Sequence, residues 1–251
     1  MNAVVPMNAV VPGRLHSWDL STGVDGPGTR FVAFLAGCPL RCLYCQNPDT
    51  WHMRDGDRTT AADVLGTVEG FAGFVRAAGG GLTVSGGEPL LQPAFTRALL
   101  TGAKELGLHT ALDTSGALGA RADDALLEAT DLVLLDIKSW DPAHYRRLTG
   151  GEIAPTLAFA RRLSGRGTAV WVRYVLVPGL TDEPVDVDGV AGFAAGLGNV
   201  ERVDVLPFHR LGAAKYDRLG IPFALRDTPA PDAGLVERVR DRFRGTGLVV
   251  Y

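Results

Sequence analysis

The stretch Asp131-Leu132-Val133-Leu134-Leu135-Asp136-Ile137-Lys138 decides the fold. It reads as a short apolar strand with a charged exit, and charge beside so apolar a run is costly unless it is paired or faces a ligand. The same grammar recurs on either side. Short apolar runs at residues 30–36, 82–85, 109–113, 132–137, 169–177 and 202–207 read as strands. Longer amphipathic stretches at 60–78, 92–106, 123–129, 155–163, 185–197 and 233–244 read as helices. Several of these open with Thr, Asp or Pro in the first turn, as helix starts do. Strand and helix in alternation imply repeated βα units and a parallel sheet, an α/β fold.

No low-complexity linker interrupts the series, and 251 residues fit within one α/β barrel-like domain. Residues 1–6 read MNAVVP and residues 7–12 repeat them. Residues 1–13 are therefore read as an appended tail, expected to be disordered, and residues 14–251 as a single domain. Hydrophobic residues make up 46% and charged residues 21%, enough to bury a sizeable core. The net charge of -3 comes with no Lys/Arg block, which speaks against a nucleic-acid partner. No apolar run approaches the roughly 20 residues of a membrane span, and the first residues lack the pattern of a signal peptide. A cytoplasmic protein with no membrane partner is expected.

In α/β barrels the chemistry gathers at the carboxyl ends of the strands. Here those exits read Ser85-Gly86-Gly87-Glu88-Pro89, Asp113-Thr114-Ser115-Gly116, Asp136-Ile137-Lys138, Arg173 within Trp171-Val172-Arg173-Tyr174, and Leu206-Pro207-Phe208-His209. Their spacing is close to the roughly 30 residues of a βαβ unit, so the polar groups should converge on one rim. Each has a plainer reading. Glu88 would serve as a loop charge, Asp113 and Asp136 as helix caps, Arg173 as an ion-pair partner and His209 as a core histidine. Lys138 and Arg173 tip the balance toward a site, because they end or interrupt strongly apolar strands.

The only three cysteines fall at Cys38, Cys42 and Cys45, in Gly37-Cys38-Pro39-Leu40-Arg41-Cys42-Leu43-Tyr44-Cys45-Gln46-Asn47-Pro48. An odd, clustered set is a poor disulfide framework. Three chemistries compete for this CxxxCxxC. Structural zinc needs a fourth ligand, such as His16 or His52. A redox pair at Cys42 and Cys45 leaves Cys38 without a role. An iron-sulfur cube on three thiolates would leave one iron open to a small molecule.

CxxxCxxC with an aromatic residue before the last cysteine resembles the signature of the radical S-adenosylmethionine (SAM) superfamily. The resemblance implies a partial (β/α)6 barrel as a single domain, and a 4Fe-4S cluster on Cys38, Cys42 and Cys45 whose fourth iron is chelated by SAM. It also implies reductive cleavage of SAM to a 5'-deoxyadenosyl radical that abstracts hydrogen. GVDGPGTR (residues 23–30), the cysteine loop, SGGEP, LDTSG, LLDIK, WVRYVLVPG and LPFHRLG are similar to the activating enzymes of pyruvate formate-lyase, over nearly the whole chain. That family would place Tyr44 and Gln46 beside the cluster-bound cofactor. It would set Gly86, Gly87 and Glu88 on the SAM amino group. Asp136, Ile137, Lys138, Arg173 and His209 would complete the pocket, with Lys138 and Arg173 counted among the catalytic residues. Asp113, Thr114 and Asp136 would form a monovalent-cation site, and the segment from Asp25 to Gly28 would lie near the partner's glycine loop.

The implied partners are a glycyl radical enzyme, with pyruvate formate-lyase first, and a one-electron donor such as flavodoxin or ferredoxin. Gln46 departs from the histidine expected there. The rivals are an activase of a different glycyl radical enzyme and a non-enzymatic zinc-binding protein. Absence of any cysteine beyond Cys45 counts against activases that carry a ferredoxin-like insert.

Overall fold

The computed structural model describes residues 10–251. Eight strands form one sheet. In chain order they are β1 (Pro12–Thr22), β2 (Thr29–Leu35), β3 (Asp57–Thr60), β4 (Gly81–Gly86), β5 (His109–Thr114), β6 (Leu132–Asp136), β7 (Ala169–Leu176) and β8 (Val200–Pro207). The order across the sheet is β3-β1-β2-β4-β5-β6-β7-β8. From β2 to β8 every neighbouring pair is parallel, which gives the six-stranded partial barrel. β1 pairs antiparallel with β2 and β3 and extends one edge. At the other edge Val203 N donates to Val249 O at 2.8 Å and Tyr251 N to Val203 O at 3.0 Å, laying the last residues along β8.

Helices α1 (Ala61–Ala77), α2 (Pro93–Glu105), α3 (Asp124–Glu128), α4 (Pro142–Thr149), α5 (Ala154–Arg166), α6 (Pro184–Ala195), α7 (Ala213–Leu219) and α8 (Ala233–Arg244) complete the fold. Their ends are chemically marked. Thr60 accepts from Asp63 N while Asp63 reaches back to Thr60 N, a capping box at the start of α1. Asp123, Asp141 and Asp232 cap α3, α4 and α8 in the same sense. Gly150 and Gly167, both left-handed, end α4 and α5.

The core lies between the sheet and the helices. Residues alternate along β7, with Val170, Val172, Tyr174 and Leu176 fully buried and the intervening side chains turned to the barrel interior. Val84, Leu112 and Leu135 are likewise fully buried on neighbouring strands. Each such side chain contributes about 2 kcal/mol by leaving water. The period-2 alternation that builds this core also aims Arg173 and Val175 into the barrel mouth.

The six predicted strands all exist, and so do the six predicted helices. β1, β3, α4 and α7 were not anticipated. β1 is half-exposed and mixes His16, Ser17, Asp19 and Ser21 among its apolar residues, so it carries no clean period. It includes Pro12 and Gly13, so the strand begins inside the segment read as a tail, because these two residues pair with Thr60 and Thr59 of β3. Residues 1–9 of that segment lie outside the described residues.

Candidate active site

β4 to β8 end on one rim, and the loop between β2 and β3 carries the three cysteines over it. That loop is held by backbone bonds. Gly37 N donates to Thr50 O at 2.7 Å, Cys38 N to Trp51 O at 3.0 Å, Arg41 N to Thr149 O at 2.7 Å and Leu43 N to Leu148 O at 2.9 Å. The end of α4, unforeseen in the sequence, is thus the shelf on which the cysteine segment rests.

Between rim and loop lies a cavity of about 240 Å³. Cys38, Cys42 and Cys45 line it together, all free thiols. Tyr44, Gln46, Gly86, Gly87, Asp113, Thr114, Asp136, Lys138, Arg173 and His209 line it as well. Strand exits about 40 to 170 residues from the cysteines in sequence are therefore gathered on one space. Of the fourth zinc ligands named from the sequence, neither His16 nor His52 lines the cavity, and His16 lies 3.5 Å from Asp49 instead. Ser85, Asn47, Ser115 and Phe208 also face the cavity and were not assigned beforehand. Their position within the motif segments was the only available signal.

Two of the expected pocket residues face elsewhere. Glu88 is fully buried, and its carboxylate accepts from Thr114 Oγ1 at 2.6 Å, Ser115 N at 3.0 Å, Ser115 Oγ at 2.5 Å and Leu90 N at 3.1 Å. With its lone pairs spent on protein donors, it fastens the exits of β4 and β5 to one another rather than lining the cavity. Burial raises its pKa against the pull of these hydrogen bonds. Ile137 is fully buried in the core, with its N–H on Arg173 O at 3.2 Å. Gly86 and Gly87, which line the cavity at the end of β4, also have a packing reason to be glycine. A Cβ on Gly86, at φ +118°, would collide with the Leu35 backbone, and one on Gly87 with Gly37 O.

The charges are paired within and between strand exits. Lys138 Nζ donates to Asp136 Oδ2 at 2.9 Å and sits 5.5 Å from the centre of the Tyr44 ring. Arg173 lies 3.2 Å from Asp113 and 3.9 Å from Asp25, and Ser85 Oγ donates to Asp113 Oδ2 at 2.6 Å. Burial works against the ammonium of Lys138, but Asp136, Tyr44 and Cys42 outweigh it and raise the pKa. For Arg173 burial is likewise overcome, by Asp113, Asp136 and Asp25. Burial also raises Asp113, opposed by Arg173. Three carboxylates therefore surround two cations, leaving the rim attractive to positive charge.

The donor set fits an iron-sulfur cluster and SAM. Burial pushes the Cys38 thiol up to about 12 and the Cys42 thiol up to about 11, and it raises Cys45. Such thiols become thiolates only beside strong positive charge, which a metal cluster provides. Arg173 Nε and Tyr44 Oη are buried and have no hydrogen-bond partner among the described residues, so hydrogen-bonding capacity remains for a ligand.

The sequence and fold have known counterparts. Residues 32–188 match the family model "Radical SAM superfamily". The pyruvate formate-lyase 1-activating enzyme of Escherichia coli (strain K12) is 41% identical over 92% of this chain and 94% of its own. The pyruvate formate-lyase-activating enzyme of Staphylococcus aureus (strain USA300) is 44% identical over 89% of this chain and 92% of its own. A crystal structure of a domain of pyruvate-formate lyase-activating enzyme from Bacteroides vulgatus superposes with a TM-score of 0.58 at 24% identity, covering 68% of this chain and 98% of that one. The chain belongs to the radical SAM superfamily and, within it, to the family of pyruvate formate-lyase activating enzymes.

Proposed function

We propose that this protein removes a hydrogen atom from one glycine of pyruvate formate-lyase, in the cytoplasm, leaving a glycyl radical on that partner. The observation that carries the reading is the meeting of three free thiols with the Asp113–Arg173 and Asp136–Lys138 pairs on one cavity. Cys38, Cys42 and Cys45 would hold the 4Fe-4S cluster. When bound, cluster and SAM together supply a one-electron cleavage of a carbon-sulfur bond and the radical that removes the hydrogen atom.

The chain's residues hold and shelter these groups. Lys138, buried, and Arg173, partly buried, offer cations to a carboxylate, and the unused Arg173 Nε is a donor for it. Asp136 and Asp113 balance positive charge, and with Thr114 they are suited to a monovalent cation. His209, beyond the end of β8, lines the cavity together with Gly86 and Gly87 at the end of β4. Asp25, 3.9 Å from Arg173, brings the 23–30 segment to the edge of the cavity, where the partner's glycine loop would enter. Leu40, Val175, Leu206 and Phe208 exclude water, which protects a reactive carbon radical from side reactions. The electron would come from a flavodoxin or ferredoxin.

Anaerobic reconstitution tests the reading. Protein loaded with iron and sulfide, reduced and mixed with SAM and pyruvate formate-lyase, is expected to give a glycyl radical signal in electron paramagnetic resonance. Protein that takes up zinc alone, or a loaded protein that leaves the partner silent, overturns it.

A further inference from the structure

Gln46 follows the last cysteine, and its side-chain amide is fully used. Nε2 donates to Tyr44 O at 3.0 Å and to His209 O at 3.0 Å, while Oε1 accepts from Gly212 N at 2.8 Å. A carboxylate has no donors for the two carbonyls, and an apolar side chain has neither function. The bonds join segments more than 160 residues apart, the cysteine loop and the loop that leaves β8.

The surroundings are built for this contact. Gly212 leaves no room for a side chain, since a Cβ would lie 2.9 Å from Gln46 Oε1 and 3.0 Å from Gln46 Cα. One turn further on, Tyr216 Oη donates to Cys45 O at 3.0 Å, and Lys215 Nζ to Asn47 Oδ1 at 2.8 Å. Yet the loop itself has little packing of its own, with Leu211 83% exposed. Its residue His209 is nonetheless a wall of the cavity.

We propose that Gln46 is a positioning residue that locks residues 209–212 to the cysteine loop, so that the His209 wall of the SAM site is set by the loop that holds the cluster. The proposal rests on the SAM-binding reading above and deepens it. Losing the amide frees Gly212 N and leaves His209 O without its donor, and the wall then samples positions in which it no longer meets the ligand.

The test compares the wild type with Gln46→Leu, which keeps the volume, and Gln46→Glu, which keeps an acceptor but no donor. Amide hydrogen exchange at Leu211 and Gly212 is measured without cofactor. Iron content, SAM affinity and the SAM-induced change in the paramagnetic spectrum are measured after anaerobic loading. Expected results for both variants are wild-type iron content, SAM binding weaker by about tenfold and a smaller spectral change, with exchange at Gly212 faster by at least about tenfold in Gln46→Leu, which removes the acceptor. Should Gln46→Leu not fold, Gln46→Glu carries the comparison.

Unchanged exchange at Gly212 in Gln46→Leu, or SAM affinity equal to the wild type in either variant, overturns the proposal. So does loss of iron with Gly212 still protected, which would confine Gln46 to the cysteine loop. A wild type that binds neither cluster nor SAM instead sinks the functional reading, and the cofactor-free exchange still judges the lock.

Discussion

The guanidinium of Arg173, carried by β7, lies 3.2 Å from Asp113 on β5 and so reaches across the intervening strand β6. Asp136, on that middle strand, holds Lys138 at 2.9 Å. Three adjacent strands thus present an interlocked row of charge at the cavity, and buried charges of this kind are stable only while each keeps its partner. The row sets charges of both signs side by side at the cavity.

Removing one member should therefore harm stability and binding together. Arg173→Met is expected to lower stability by about 3 kcal/mol, because Asp113 is left buried beside Asp25 and Asp136. It should also abolish measurable SAM cleavage while iron loading persists, since the thiols are untouched. Calorimetry, iron analysis and SAM turnover check the three parts, and unimpaired SAM cleavage would remove Arg173 from the site.

Cys38→Ser, Cys42→Ser and Cys45→Ser should each fold, because a hydroxyl is nearly isosteric with the thiol. Each is expected to lose most iron and sulfide after anaerobic loading, and with them the brown colour and all SAM cleavage. A variant that retained a stable, SAM-responsive cluster would show that its cysteine is not a ligand.

Glu88 is predicted to matter before any cofactor arrives. Glu88→Gln turns an NH2 group toward the N–H of Ser115 or Leu90, donor against donor, at a fully buried position. The expected cost is about 2 kcal/mol, seen as a lower melting temperature of the cofactor-free protein. An unchanged melting temperature paired with weak SAM binding would return Glu88 to the ligand site.

His109 should contribute an acid limb to stability. Burial, then the facing Arg30 guanidinium, lowers its pKa from the ordinary value, with Lys104 acting in the same direction and Asp131 and Glu201 opposing. Arg30 Nη1 donates to Nδ1 at 3.1 Å, which holds the ring neutral. The unfolded chain therefore binds a proton more readily than the native one. This contribution is complete above the ordinary histidine value and is lost as pH falls below it. The cofactor-free protein should melt at lower temperature as pH drops from about 7.5 to about 5.5, and His109→Asn should flatten that slope. Parallel slopes for the two proteins would assign the acid limb to other groups.

Much of this architecture was legible because apolar periodicity is a local property. The run from Leu132 to Ile137 reads as a strand without knowing its neighbours, and Asp123 or Asp232 announces a helix start from within one turn. β1 and α7 were illegible for the same reason in reverse. Half of β1 faces water, and α7 owes its place to contacts with the cysteine loop, where Tyr216 packs edge-on against Trp51 at 5.9 Å. The thiols and the charged strand exits could be named from types and spacing alone. Glu88 could not be placed that way, because an acidic side chain in a glycine turn looks the same whether it meets a ligand or four protein donors.

By itself the sequence determined which chemical groups are present: three thiols within eight positions, and cationic and anionic groups at the ends of apolar strands. Tertiary structure alone decided how these groups share their capacity. Glu88 spends its lone pairs on Thr114, Ser115 and Leu90, Arg173 keeps Nε free, and Gln46 bridges to Gly212. The physical reason is that hydrogen bonds and ion pairs depend on distances between residues remote in the chain, which periodicity and motif spacing do not encode.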